Sequence, residues 1–209
     1  MRSMKRLIVA AAVAATTVSC GDVVRMGKSP VYLVIESLQA VRGGSSGAEL
    51  SSTLYSDVLT LVTTPAPCTP DAPCPTIFAD SGQAVMRISL KDLGQGVTPS
   101  SPSLNNEVTI NRYRVSYRRA DGRHTPGVDV PYGFDGATTG TVPTNAAASF
   151  GFELVRHVAK MEPPLVQLSF SSTIIATIAD ITFYGRDQVG NEISATGSIL
   201  VEFGNFGDE

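Results

Sequence analysis

Between Glu107 and Arg119 the side chains alternate so regularly that the segment reads as a strand with one buried and one solvated face. Val108 and Ile110 share a face, and Tyr113, Val115 and Tyr117 resume it one residue out of step, while Arg112, Arg114, Ser116 and Arg118 point the other way. Successive residues of a strand face opposite sides of the sheet, so the apolar set stays on one side only if one residue is extruded. A β-bulge is therefore expected near Asn111-Arg112. Asp121-Gly122 supplies the chemistry of a tight turn directly afterwards.

The same grammar recurs along the chain. Val31 to Val41 is rich in β-branched residues and ends at Gly43-Gly44-Ser45-Ser46-Gly47. Glu49 to Val62 suits either a helix face (Leu50, Leu54, Val58, Leu61) or a strand, and its second half favours a strand. Gln83 to Leu93 alternates, with Met86, Ile88 and Leu90 opposed to Val85, Arg87 and Ser89. A Gly/Pro/Ser/Asn loop follows over 94–106, and a second long loop is expected over 123–145. Pro143 to Val158 offers a strand around Phe150, Phe152 and Leu154, and Pro163-Pro164 breaks the chain before Leu165. A hairpin closes it: Ile175, Ala179, Ile181 and Phe183 line one arm, Ile193, Ala195, Ile199, Val201 and Phe203 the other, and Asp187 to Asn191 form the turn. Nowhere do strands alternate with long amphipathic helices, as a parallel sheet demands. The pattern predicts an all-β fold, an antiparallel sandwich with long loops.

The N-terminus is of another kind. Arg2, Lys5 and Arg6 precede the uncharged run Leu7 to Val18. As a helix that run spans about 18 Å, short of a hydrocarbon core of roughly 30 Å. This is the length of a secretory h-region. It ends in Thr17-Val18-Ser19-Cys20-Gly21, which resembles the lipobox of bacterial lipoproteins. The resemblance implies that residues 1–19 are a signal peptide, that Cys20 is lipidated after cleavage, that 20–30 is a tether and that 31–209 form one elaborated sandwich domain. The other reading is an ordinary signal cut nearby, with Cys20 left a free thiol. A lipidated Cys20 places the protein on a membrane of the bacterial envelope, facing periplasm or exterior. In a host with two membranes, Gly21 rather than Asp favours the outer one.

Cysteine arithmetic bears on the same point. The chain has 3 cysteines. With Cys20 set aside, Cys68 and Cys74 remain in Thr-Pro-Ala-Pro-Cys-Thr-Pro-Asp-Ala-Pro-Cys-Pro, where proline excludes helix and central strand. A disulfide fits an oxidising compartment. Metal binding would need further soft ligands, yet His124 and His157 lie far off in sequence. A redox pair would want CxxC spacing and a helix N-terminus.

Charge narrows the partners. Losing Arg2, Lys5 and Arg6 turns 16 basic against 19 acidic residues into 13 against 19. No basic run exceeds Arg118-Arg119, which argues against nucleic acid. Trp is absent, which lowers the case for a sugar platform.

Asn111 to Gly122, with its Tyr-x-Val-x-Tyr rhythm, resembles the third strand and turn of fibronectin type III domains. Ile181 to Phe203, with Asp187-x-x-Gly190-Asn191, is similar to the last hairpin of bacterial immunoglobulin-like domains. These resemblances imply an immunoglobulin-like sandwich and carry no activity. The closing Phe-Gly-Asn-Phe-Gly is also similar to that of uncharacterised envelope proteins.

Candidate chemistry is sparse. Gly43-Gly44-Ser45-Ser46-Gly47 matches G-x-S-x-G after an apolar strand, with His157 downstream, but a nucleophile elbow needs a following helix and a parallel sheet. A Gly/Ser turn is the simpler reading. Asp187, Asn191, Asp121, Asp129 and Asp135 have calcium-compatible side chains without D-x-D-x-D-G spacing, and read as turn formers. His157 reads as a strand residue and His124 as solvated. Arg112, Arg114 and Arg118 could meet an anionic polymer, or more simply pair with acids on the neighbouring strand. The expected function is a structural or interaction module held at the membrane through Cys20, meeting an envelope protein or polymer, with no catalysis, cofactor or metal. The alternative is an envelope hydrolase or glycan-active protein using Ser45 or loop carboxylates.

Overall fold

The computed structural model describes residues 28–44, 49–92 and 100–207. Cys20, Ser45 and the signal segment lie outside them. The described chain is all-β, in the order β1 (Val31–Val41), β2 (Thr53–Asp57), β3 (Thr60–Val62), β4 (Cys74–Thr76), β5 (Asp80–Leu90), β6 (Val108–Arg119), β7 (Phe134–Gly136), β8 (Gly140–Val142), β9 (Ala148–Val155), β10 (Ile175–Asp187) and β11 (Glu192–Gly204). A short helix, α1 (His157–Lys160), interrupts the series. One sheet runs β1-β5-β9 and the other β2-β11-β10-β6-β7, with β8 also on β6, while β3 and β4 form a separate ribbon. All named strand pairs are antiparallel except β2, which lies parallel to the end of β11. This mostly antiparallel sandwich is compatible with an immunoglobulin-like domain.

Alternation explains the packing. Val108, Ile110, Tyr113, Val115 and Tyr117 of β6 are buried, as are Ile175, Ala179, Ile181 and Phe183 of β10 and Ile199, Val201 and Phe203 of β11. Against them the smaller sheet sets Ala84, Met86 and Ile88 from β5 and Phe150, Phe152 and Leu154 from β9. Tyr113, Phe152 and Phe183 form an aromatic knot at the centre, the Tyr113 and Phe152 rings 5.5 Å apart and the Phe152 and Phe183 rings 5.4 Å apart. Offset and edge contacts of this kind add to the area buried.

The phase slip in β6 is a bulge. Arg112 pairs with Tyr184 and Ile110 with Gly185, leaving Asn111 extruded. Gly185 opposite it has a steric reason: an added Cβ would come within 2.5 Å of the Thr109 carbonyl oxygen. The turn at Asp121-Gly122 forms, with Gly122 at φ +91°, where side chains are disfavoured. The arginines pair as strand neighbours do, Arg114 with Asp135 of β7 at 3.0 Å and Arg118 with Asp180 of β10 at 3.0 Å.

Several boundaries differ from the sequence reading. The loop expected over 123–145 carries β7 and β8, each too short for a periodic signal. The strand expected to reach Val158 stops at Val155, and His157 opens α1 instead, exposed rather than in a sheet. The physical reason lies at the other end of that helix, where Lys160 turns inward. Strand β5 starts at Asp80, three residues early, because Asp80 is anchored there. Leu165 to Phe170 is a 3-10 turn that buries Leu165 and Leu168.

Candidate functional site

Two places carry polar chemistry beyond strand pairing: a cleft at one end of the sandwich and a sealed cluster inside it.

The cleft, about 530 Å³, opens where the start of β1 approaches the bulge of β6 and the β10–β11 hairpin. Sequence makes it locally. The bulge turns Asn111 outward, Gly185 presents no side chain, and Ser29, Val31 and Leu33 form the wall on the smaller sheet. Two aromatic rings flank the mouth, each covered by a cation. The Arg112 guanidinium lies 4.1 Å over the Tyr184 ring, and Lys91 Nζ lies 5.2 Å over Tyr32. Arg186 adds a third positive charge, donating to Glu192 at 2.7 Å, and Arg112 reaches Asp135 at 3.4 Å. A volume in this range is that of a small-ligand or peptide-segment site. Stacked arginine and tyrosine offer planar and charged contacts together. The lining holds no histidine or cysteine, so its chemistry is recognition rather than nucleophilic attack.

Asp187 braces the cleft from below. Burial pushes its carboxyl up, but the side chain and backbone N–H of Asn191, the Ser29 hydroxyl and the Val189 N–H outweigh this and hold it below the usual carboxylate range. The turn residues of the last hairpin are thereby tied to the segment entering β1.

The sealed cluster joins three remote parts of the chain. Lys160, at the end of α1, places Nζ 2.9 Å from Asp80 Oδ2, with side-chain exposures of 1% and 0%. Ser56 Oγ donates to the same Oδ2 at 2.6 Å, and the Gly43 N–H donates to Oδ1 at 2.9 Å. Asp57, also buried, accepts from the backbone N–H groups of Leu59 and Phe206 and lies 3.9 Å from Arg42. Burial pushes the Lys160 ammonium's pKa down, and Asp80 opposes this by charge and hydrogen bond without cancelling it.

The structure sorts the sequence candidates as follows. Cys68 and Cys74 form a disulfide beside the β3–β4 ribbon, away from both places. Cys20 and Ser45 fall outside the described residues. His157 and His124 are exposed and remote from one another's elements, and His124 contacts the Gly122 carbonyl. Asp121 pairs with Arg123, Asp129 lies near Arg123, and Asp135 meets Arg112 and Arg114. Among the described residues no group of three or more His, Cys, Asp or Glu side chains is placed to hold a metal. Sequence reasoning missed Asp80, Lys160 and Ser56 altogether. It found Arg112 and Asp187 without the cleft that joins them. No protein-family model matches the chain, and no curated protein matches it.

Proposed function

We propose that this protein is a non-catalytic interaction module of the bacterial envelope: an immunoglobulin-like sandwich, held to a membrane by lipid on Cys20, that engages an anionic envelope component through the cleft between β1 and the β10–β11 hairpin. The observation that carries the reading is the pair of cation-covered rings at the cleft mouth, Arg112 on Tyr184 and Lys91 on Tyr32. A carboxylate or phosphate entering there meets guanidinium and ammonium groups already placed, with aromatic faces for its apolar part.

The anchor and the cleft are neighbours in sequence. Ser29 lines the cleft, and the stretch from Cys20 to Lys28 spans at most about 30 Å fully extended. A lipid on Cys20 would hold the cleft within that distance of the bilayer. The partner would then be a membrane-proximal molecule.

The test is in-cell photo-cross-linking of the full-length chain, with a photoreactive residue at Tyr32 and, as control, at Ser116 on the outer face of β6. The expected result is a discrete adduct from position 32 alone, recovered with the membrane fraction and displaced into the soluble fraction by Cys20→Ser. Equal labelling from both positions, or none from position 32, refutes the cleft. Unchanged soluble partitioning of wild type and Cys20→Ser refutes the anchor.

A further inference from the structure

From the arrangement of Lys160, Asp80, Ser56 and Gly43, we infer that Lys160 and Asp80 condense into an intramolecular amide, a covalent strap between the end of α1 and the start of β5.

The argument begins with the two oxygens of Asp80, which the fold treats differently. Oδ1 accepts only the backbone N–H of Gly43 among the printed contacts, at 2.9 Å. Oδ2 faces both Lys160 Nζ at 2.9 Å and Ser56 Oγ at 2.6 Å. One oxygen is therefore held as the carbonyl of an amide would be, by a fixed donor. The other faces the attacking nitrogen and a hydroxyl able to relay a proton. A fixed backbone donor aimed at the oxygen where charge develops is the arrangement that stabilises a tetrahedral intermediate.

Burial supplies the reactivity. The side chains of Lys160 and Asp80 are sealed from water, and separating charge in such a place is costly. The neutral amine and acid are thus brought closer in energy to the ion pair, and burial already lowers the proton affinity of Lys160. A desolvated lysine is a nucleophile. Holding it in contact with the carboxyl replaces a bimolecular encounter by an effective concentration on the order of 10⁵ M or more. Asp57, beside Ser56 in sequence, adds a second buried acid whose charge acts on Lys160.

The step balances without any co-reactant. One proton passes from the Lys160 ammonium to Oδ2, giving an amine and a neutral acid. The Nζ lone pair attacks Cγ, the Nζ–Cγ bond forms, and negative charge collects on Oδ1 under the Gly43 N–H. A second proton leaves Nζ through the Ser56 hydroxyl to Oδ2. The Cγ–Oδ2 bond breaks and Oδ2 departs as water. The carbonyl re-forms at Oδ1, one N–H remains, and both charges are gone. Such a cross-link would replace a buried ion pair that is costly to desolvate, and would restrict the unfolded chain as a disulfide does.

The experiment is peptide mapping of the purified full-length protein after denaturation, reduction and alkylation. Trypsin cuts after a free lysine but not an acylated one. The expected result is loss of cleavage between Lys160 and Met161, with a branched peptide joining the Asp80 and Lys160 fragments one water lighter than their sum. Lys160→Arg and Asp80→Ala, where soluble, should yield no branched peptide. Complete cleavage after Lys160 in the wild type, or a water lost instead as a succinimide at another aspartate, overturns the inference. The wild-type map decides it even if neither variant folds.

Discussion

The phenol of Tyr117 donates its hydrogen bond to the backbone carbonyl of Leu154, so a core residue of β6 in the larger sheet grips β9 in the smaller one. Tyr117→Phe would leave that buried carbonyl unpaired, at a cost of about 1–2 kcal/mol in equilibrium urea unfolding. Burial pushes the Tyr117 phenol well above its ordinary value, with Asp80 and Glu153 adding to the effect. The unfolded chain ionises near pH 10 while the folded one stays protonated. The Tyr117 contribution is therefore present below about pH 10 and lost as pH rises beyond it. The alkaline loss of stability should be shallower in Tyr117→Phe.

The acid limb should be governed in part by Asp187. Its folded pKa is depressed by the Asn191, Ser29 and Val189 donors against the opposing effect of burial. The stabilisation is thus fully present above the unfolded value of about 4 and is lost as pH falls through the folded one. Asp187→Ala should cost on the order of 1–3 kcal/mol at neutral pH. It should also flatten the stability profile below about pH 4 relative to wild type.

Facing in the larger sheet makes a contrast that urea unfolding can read. Val115 and Ile181 are register partners and both are fully buried. Val115→Ala and Ile181→Ala should each cost about 2–4 kcal/mol. Arg114, on the opposite face, has its side chain 54% exposed beside Asp135. Its replacement by Ala should change stability by about 0.5 kcal/mol. Equal losses for Arg114 and Val115 would mean that the strand faces the other way.

The β3–β4 ribbon stands apart from both sheets, so its disulfide should act locally. Replacing Cys68 and Cys74 by Ala should lower stability by roughly 2 kcal/mol on the chain-entropy account. The near-ultraviolet signal of the Tyr113, Phe152 and Phe183 knot should stay intact. Collapse of that signal would show the ribbon to be coupled to the core.

What could be read from sequence follows a physical line. The parity of β6, β10 and β11 is written in residue order because each strand has one dry face, and the phase slip at Asn111 announces its bulge for the same reason. Glu202 shows the limit of that reading, for it is half-buried on the face expected to be solvated. Asp80 and Lys160 left no trace. A charged residue carries no mark of burial, and each acquires its meaning only from a partner far along the chain. The cleft was invisible on the same grounds, since Tyr32, Arg112 and Tyr184 come from three strands that meet only after the sandwich closes. Residues Pro143 to Val158 misled because Val155 to Val158 continues the apolar pattern of a strand while the chain turns into α1 to bring Lys160 inward.

The central claim is recognition of an anionic component at the cleft, and charge reversal tests it most directly. Arg112→Glu and Arg118→Glu each reverse one exposed arginine of β6 that pairs with an acid on a neighbouring strand. Only Arg112 lines the cleft. The measurement is the yield of the adduct from a photoreactive residue at Tyr32, compared among wild type, Arg112→Glu and Arg118→Glu at equal folded protein. The account predicts at least a tenfold loss for Arg112→Glu, equivalent to about 1.4 kcal/mol of binding, and a yield near wild type for Arg118→Glu. Equal yields from the two variants would contradict it.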